Sequence, residues 1–171
     1  MNGLPTAPRW MGYMRLTMFT DYALRVLMYA GMAGDRLITI EETAKVYGIS
    51  RAHLMKVVNI LTKGGYLKGV RGRSGGFRLA MPPEQINLGA VVRATEPDFA
   101  LVECFATGNQ CIISRCCRLP NVLNEALNSF VATLDRYTVA DLMFSQNAFN
   151  RSQASETVMR GPDFLAADAR S

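Results

Sequence analysis

Residues 37–65 read LITIEETAKVYGISRAHLMKVVNILTKGG, and this stretch decides the fold. Thr39 stands three residues before Glu42, the spacing of a capping box in which a hydroxyl takes up an amide of the first helical turn. A short helix starting there stops at Gly48. Ser50 is a good N-cap for the next one, which places Leu54, Val57, Val58 and Leu61 on its inner face and stops at Gly64 or Gly65. Two short helices joined by a glycine turn form a helix-turn-helix.

The next segment narrows the type. YLKGV (66–70) and FRLAM (77–81) are short β-prone runs, and RGRSGG (71–76) between them supplies the glycines a hairpin turn needs. A helix-turn-helix followed by a basic hairpin is a winged helix. Further along, Asn87 caps a helix of sequence LGAVVRATE, and then the cysteines begin. Past them, Leu119, Val122, Leu123, Ala126, Leu127, Phe130, Val131, Leu134 and Tyr137 form a stripe at helical spacing, with Pro120 suited to the first turn. So broad a stripe on a long helix calls for a packing partner, and a second subunit is the favoured one. Upstream, Ala23, Leu24, Val26, Leu27, Ala30 and Met32 mark a first helix over 20–32, with Thr20 or Asp21 as its cap.

The fold class expected is mainly α with a small β-hairpin: a winged helix-turn-helix DNA-binding domain plus a long dimerisation helix. The boundaries expected are a disordered leader over 1–13, the winged domain over 14–96, a cysteine loop over 97–118, the dimerisation helix region over 119–144 and a flexible tail over 145–171. The chain has 171 residues, 49% of them apolar, enough for one real core. No apolar run approaches the roughly 20 residues of a membrane span, and the N-terminus lacks a signal-peptide core, so a cytoplasmic protein is expected.

Charge is unevenly spread. From Lys45 to Arg78 there are eight basic residues and no acid, whereas the other 11 basic residues are outnumbered by 14 acids. One segment carries the positive field, the footprint of a polyanion. At the N-terminal end of the second helix of the motif, Ser50, Arg51, His53 and Lys56 are placed to enter a major groove, with Arg51 as a bidentate base reader. Arg71 and Arg73 on the wing tip can reach the neighbouring minor groove. His53 is the only histidine of the chain, which, with no acids clustered about it, leaves no acid–base pair for an enzyme.

All four cysteines lie in CFATGNQCIISRCCRLP (104–120). Cysteines gathered in one loop of a cytoplasmic protein point to metal or redox chemistry rather than to a disulfide framework. Cys104, Cys111 and Cys117 are spaced with six and five intervening residues, unlike the paired C-x2-C of a structural zinc ribbon. Cys116 is adjacent to Cys117, and neighbouring side chains diverge. Three thiolates leave one ligand to come from elsewhere. At this level a thiol-redox switch and a zinc-binding regulator remain open beside an iron–sulfur site.

Taken together, MRLTMFTDYALRVLMYA (14–30), the helix-turn-helix, RGRSGGFRL (71–79), the three spaced cysteines and ALNSF…LDRYTVADL resemble the winged-helix iron–sulfur repressor family that includes NsrR, IscR and RirA. The likeness runs from about Met14 to Phe144. It implies a homodimer on double-stranded DNA, with a near-palindromic operator, and a cluster held by Cys104, Cys111 and Cys117; Cys116 is an extra. IscR-like members complete a [2Fe-2S] site with a histidine three residues past the last cysteine, where this chain has Pro120. NsrR-like members use an aspartate in the motif FTD, present here as Phe19-Thr20-Asp21, to reach the partner subunit's [4Fe-4S] cluster. The resemblance is therefore closest to the NsrR-like branch, although the spacing between Cys104 and Cys111 is one residue longer than is typical there. It implies a transcriptional repressor that senses nitric oxide through a [4Fe-4S] cluster, with Asp21 as the fourth ligand. The alternatives are a [2Fe-2S] cluster and a sensor of iron or cluster status.

Overall fold

The computed structural model describes residues 15–97, 99, 111–113 and 116–144. The leader, the tail and Cys104 lie outside the described residues. Three helices come first: α1 (Met18–Ala33), α2 (Ile40–Tyr47) and α3 (Arg51–Lys63). A hairpin of β1 (Leu67–Val70) and β2 (Gly76–Leu79) is next, then α4 (Leu88–Thr95) and α5 (Leu119–Leu134). This is the winged helix-turn-helix with an added long helix that the sequence leads one to expect.

The caps explain where the helices start. Thr39 Oγ1 accepts from the Glu42 amide, Ser50 Oγ from the His53 amide and Asn87 Oδ1 from the Ala90 amide, each satisfying one orphan donor of a first turn. Between α2 and α3 the chain turns through Gly48 at φ 64°, a left-handed conformation that glycine adopts without a Cβ penalty. Helix α1 begins earlier than its periodicity predicts: its cap is Thr17, not Thr20 or Asp21. The reason lies far along the chain. Glu96, the residue that ends α4, accepts the Thr17 amide at 2.8 Å and the Thr17 hydroxyl at 3.0 Å, and also takes the Thr20 hydroxyl. A tertiary contact thus adds half a turn that local pattern alone does not reveal.

The hairpin pairs Leu67 with Leu79 and Val70 with Gly76. It is extended by one bridge, in which Ile38 and Phe77 exchange both amide hydrogen bonds at 2.9 and 2.8 Å. The Ile38 carbonyl crosses so close to Gly76 that a Cβ there would stand 2.5 Å from its oxygen, so this strand position requires glycine. The core lies between α1, α3, α4 and the hairpin, with Val26, Leu27, Ile38, Leu54, Leu61, Ile86 and Val91 fully buried.

Helix α5 differs from the rest, since none of its residues is buried. It ends at Leu134, three residues short of the predicted stripe's last member, Tyr137. Arg93 holds Asp135 there through two guanidinium hydrogen bonds, at 2.7 and 3.1 Å. The chain then returns to the core: the Val139 amide bonds the Ile86 carbonyl at 2.9 Å, and Val139 is fully buried. No helix among the described residues is long and apolar enough to cross a membrane.

Candidate nucleic-acid interface and cysteine loop

Helix α3 presents two faces. Leu54, Val57 and Leu61 are buried, while Arg51, Ala52, His53, Met55, Lys56, Asn59 and Lys63 are exposed. Of the inner set its periodicity predicts, only Val58 is half-buried rather than buried. The helix contains no acid, and Arg51, Lys56 and Lys63 spread positive charge along its outer face. Ser50 uses one lone pair of its hydroxyl to cap α3, which leaves its proton available to donate.

Arg51 is not isolated. Its Nη1 lies 2.8 Å from Oε2 of Glu41 on α2, with both side chains about two-thirds exposed. Such a pair is worth less than about 1 kcal/mol and opens readily. Glu41 escapes notice in the sequence because it precedes the acid-free run, and only the turn at Gly48 brings it back beside Arg51. Arg78, at the other end of that run, pairs with Asp35 at 3.0 Å. Lys56, Arg71 and Arg73 form no ion pair among the described residues and are exposed. The His53 ring stands 6.2 Å from that of Tyr22, so α1 abuts the recognition helix directly.

The wing tip is built for a tight reversal. Gly72 has φ 118°, and a Cβ on Gly75 would collide with the Val70 carbonyl oxygen. Arg71 and Arg73 stand exposed on this turn.

In the cysteine loop, Cys111 and Cys116 are exposed and Cys117 is half-buried. The amides of Cys116 and Cys117 both donate to the Ile113 carbonyl, at 3.0 and 2.9 Å, forming a turn that leads into α5. The Cys116 thiol points back to the same carbonyl at 3.4 Å. Adjacent thiols are therefore held differently, Cys116 on its own turn and Cys117 beside the start of α5. Among the described residues, no three His, Cys, Asp or Glu side chains come together as a metal-binding group. The donor chemistry nonetheless suits iron–sulfur: soft thiolates of Cys111 and Cys117 flank one short turn.

Asp21 lies in the first turn of α1 and does not cap it. Its carboxylate pairs with Arg25 one turn on, at 2.9 and 3.1 Å, and remains partly exposed. The Thr17–Thr20–Glu96 cluster fixes the backbone just before it. Glu96 is the positional residue that sequence reading missed. Its only local signal is a carboxylate just before Pro97, at the end of α4.

A cationic recognition helix, a basic glycine-tipped wing and a thiol-bearing turn feeding a long uncovered helix define a winged-helix DNA-binding regulator with an appended cysteine loop. The chain belongs to the Rrf2 family, described as Iron-dependent Transcriptional regulator, whose profile matches residues 16–145. It is similar to the HTH-type transcriptional regulator NsrR of Bacillus subtilis, 52% identical over 134 residues, covering 76% of this chain and 90% of that one. The same-named protein of Bacillus licheniformis is 48% identical over 136 residues, covering 78% of this chain and 95% of that one. Among solved structures, T. potens IscR superposes with a TM-score of 0.61 at 23% identity, covering 88% of this chain and 95% of that one, a likeness of fold. The protein is thus a DNA-binding transcriptional regulator and not an enzyme.

Proposed function

We propose that this chain is a cytoplasmic, homodimeric repressor that senses nitric oxide through a [4Fe-4S] cluster. The cluster would be held by Cys104, Cys111 and Cys117 of one subunit and by Asp21 of the other. The observation that carries this reading is the construction of the first turn of α1. Asp21 and Tyr22 are neighbours there: Asp21 offers a partly exposed carboxylate, and Tyr22 rests against His53 of the recognition helix. Glu96 ties the same turn to the end of α4, where the cysteine loop departs. A change at the loop thus has a short mechanical route to α3.

When bound, an iron–sulfur cluster supplies a thiolate-ligated centre that nitric oxide attacks. The chain's residues do the rest. Cys117, whose amide bonds the Ile113 carbonyl, would present its thiolate at the head of α5, and Cys111 would add a second. Asp21, a harder donor than thiolate, must leave Arg25 to serve as the fourth ligand, which makes it the weakest and most exchangeable of the set. The dimer is supported by α5, with no buried residue, and by the exposed Ile112, Ile113, Leu119 and Val122 at its approach. A monomer would leave this apolar surface in water. Two recognition helices related by a two-fold axis suit a near-palindromic operator with half-sites about 34 Å apart.

The similarity to NsrR proteins supports nitric oxide as the signal, and Pro120 in place of a histidine argues against a [2Fe-2S] site. Purification without oxygen tests the ligand set. Cys104→Ala, Cys111→Ala and Cys117→Ala should each lose the brown colour and high-affinity DNA binding, while Cys116→Ala keeps both. Colour retained in all three single variants would refute the assignment.

A further inference from the structure

Besides Ile60, 41% exposed near its C-terminal end, helix α3 exposes one large apolar side chain that its charges do not explain: Met55, 58% exposed. Ala52, one turn before it, is exposed too, and Arg51 and Lys56 flank the pair. Single exposed apolar residues are common. This one sits one turn beyond Arg51, on the face of the helix that DNA would cover.

The major-groove edge offers one methyl group, the 5-methyl of thymine; apart from the small C5–H of cytosine, the other groups there are hydrogen-bond donors or acceptors. Covering Met55 with a polar base edge would strip water from that edge and return no hydrogen bond. Covering it with a thymine methyl buries apolar surface on both partners, and the unbranched thioether can adapt its rotamer to meet it. The geometry points to Met55, backed by Ala52, as the residue that reads a thymine methyl in each half-site, beside whatever base Arg51 contacts. This makes Met55 a specificity-determining residue rather than a source of affinity. The inference rests on the DNA-binding assignment alone and stands or falls independently of the cluster.

Replacing thymine by deoxyuridine removes the methyl and leaves every hydrogen-bonding group in place. The test uses full-length protein, purified without oxygen, and duplexes enriched by that protein from a random-sequence pool, resynthesised with each thymine in turn replaced by deoxyuridine. At one thymine per half-site the replacement should weaken wild-type binding about fourfold, the worth of one buried methyl group. Met55→Ala should bind the thymine and deoxyuridine duplexes equally, and Met55→Leu should keep the preference. Because the side chain is exposed, the melting temperature of either variant should match wild type. The inference is overturned if deoxyuridine is tolerated at every thymine, if Met55→Ala shows the same loss as wild type, or if the enriched half-sites contain no thymine under α3. A pool that yields no preferred sequence overturns base reading by α3 altogether, and this inference with it.

Discussion

Arg51 Nη1 and Glu41 Oε2 stand 2.8 Å apart across the turn of the helix-turn-helix, so the side chain proposed to read a base is held by an acid of the preceding helix. Glu41 therefore competes with DNA for Arg51 and also repels nearby phosphates. Glu41→Gln should tighten binding by roughly 0.5–1 kcal/mol, and more on the operator than on random DNA, because it frees Arg51 for its base. Arg51→Ala should cost about 1–3 kcal/mol on the operator and flatten preference at one position per half-site. Titrations on matched operator and scrambled duplexes separate the two. Equal loss on both duplexes would reduce Arg51 to a phosphate contact.

Arg71 and Arg73 give a different signature. Exposed on a wing tip without ion pairs among the described residues, they are placed to neutralise phosphates or enter a minor groove. Replacing both by Ala should make log K less steep against log salt by about 0.9 for each phosphate no longer neutralised. An unchanged slope would mean that the wing does not touch DNA.

Arg36, Glu42 and Tyr29 join α1 to α2. The Arg36 guanidinium bonds both Glu42 oxygens, at 2.8 and 3.1 Å, and Tyr29 donates to the same carboxylate at 2.6 Å. Arg36 is the main cause holding the Glu42 carboxyl below its ordinary value of 4.5. A depressed carboxylate stabilises the fold above its unfolded value, and that stabilisation is lost as pH falls below about 4.5 through the folded value. Arg36→Met should therefore lower thermal stability slightly at neutral pH and make its fall between about pH 5 and 3 shallower. Water screens the partly exposed pair, so the neutral-pH effect should stay below about 1 kcal/mol. Parallel acid limbs for the two proteins would show that the contact contributes nothing.

These interactions mark where the sequence is legible and where it is not. The caps at Thr39, Ser50 and Asn87 stand where local spacing puts them, as do most of the inner face of α3 and, to within one or two residues, the hairpin strands, the second of which takes in Gly76 and stops at Leu79. The start of α1 is not, because Glu96 sets it from nearly 80 residues away. Likewise Glu41 and Arg51 meet only after the glycine turn folds. The inequality of Cys116 and Cys117 depends on which thiol turns back to Ile113, a rotamer choice that no spacing rule contains. Asp21 is visible in the sequence as a motif, yet its freedom from capping duty appears only once Thr17 is seen to fill that role.

The cross-subunit role of Asp21 is open to a mixed-dimer experiment. In heterodimers of an Asp21→Ala chain with a Cys111→Ala chain, the one complete cysteine set belongs to the Asp21→Ala chain and faces the intact aspartate of its partner. That single cluster should show wild-type lability if the carboxylate acts across the interface. Behaviour like the Asp21→Ala homodimer would place its action within one chain.

The most direct measurement titrates nitric oxide, without oxygen, into protein bound to a fluorescent operator duplex, following visible absorbance and anisotropy together. The account predicts a broad brown absorbance near the blue edge of the visible range at the start, and its bleaching in step with release of the DNA. Cys116→Ala should take the same course. A colourless protein that holds its DNA, or a coloured one whose DNA grip is unchanged after the absorbance is gone, would contradict it.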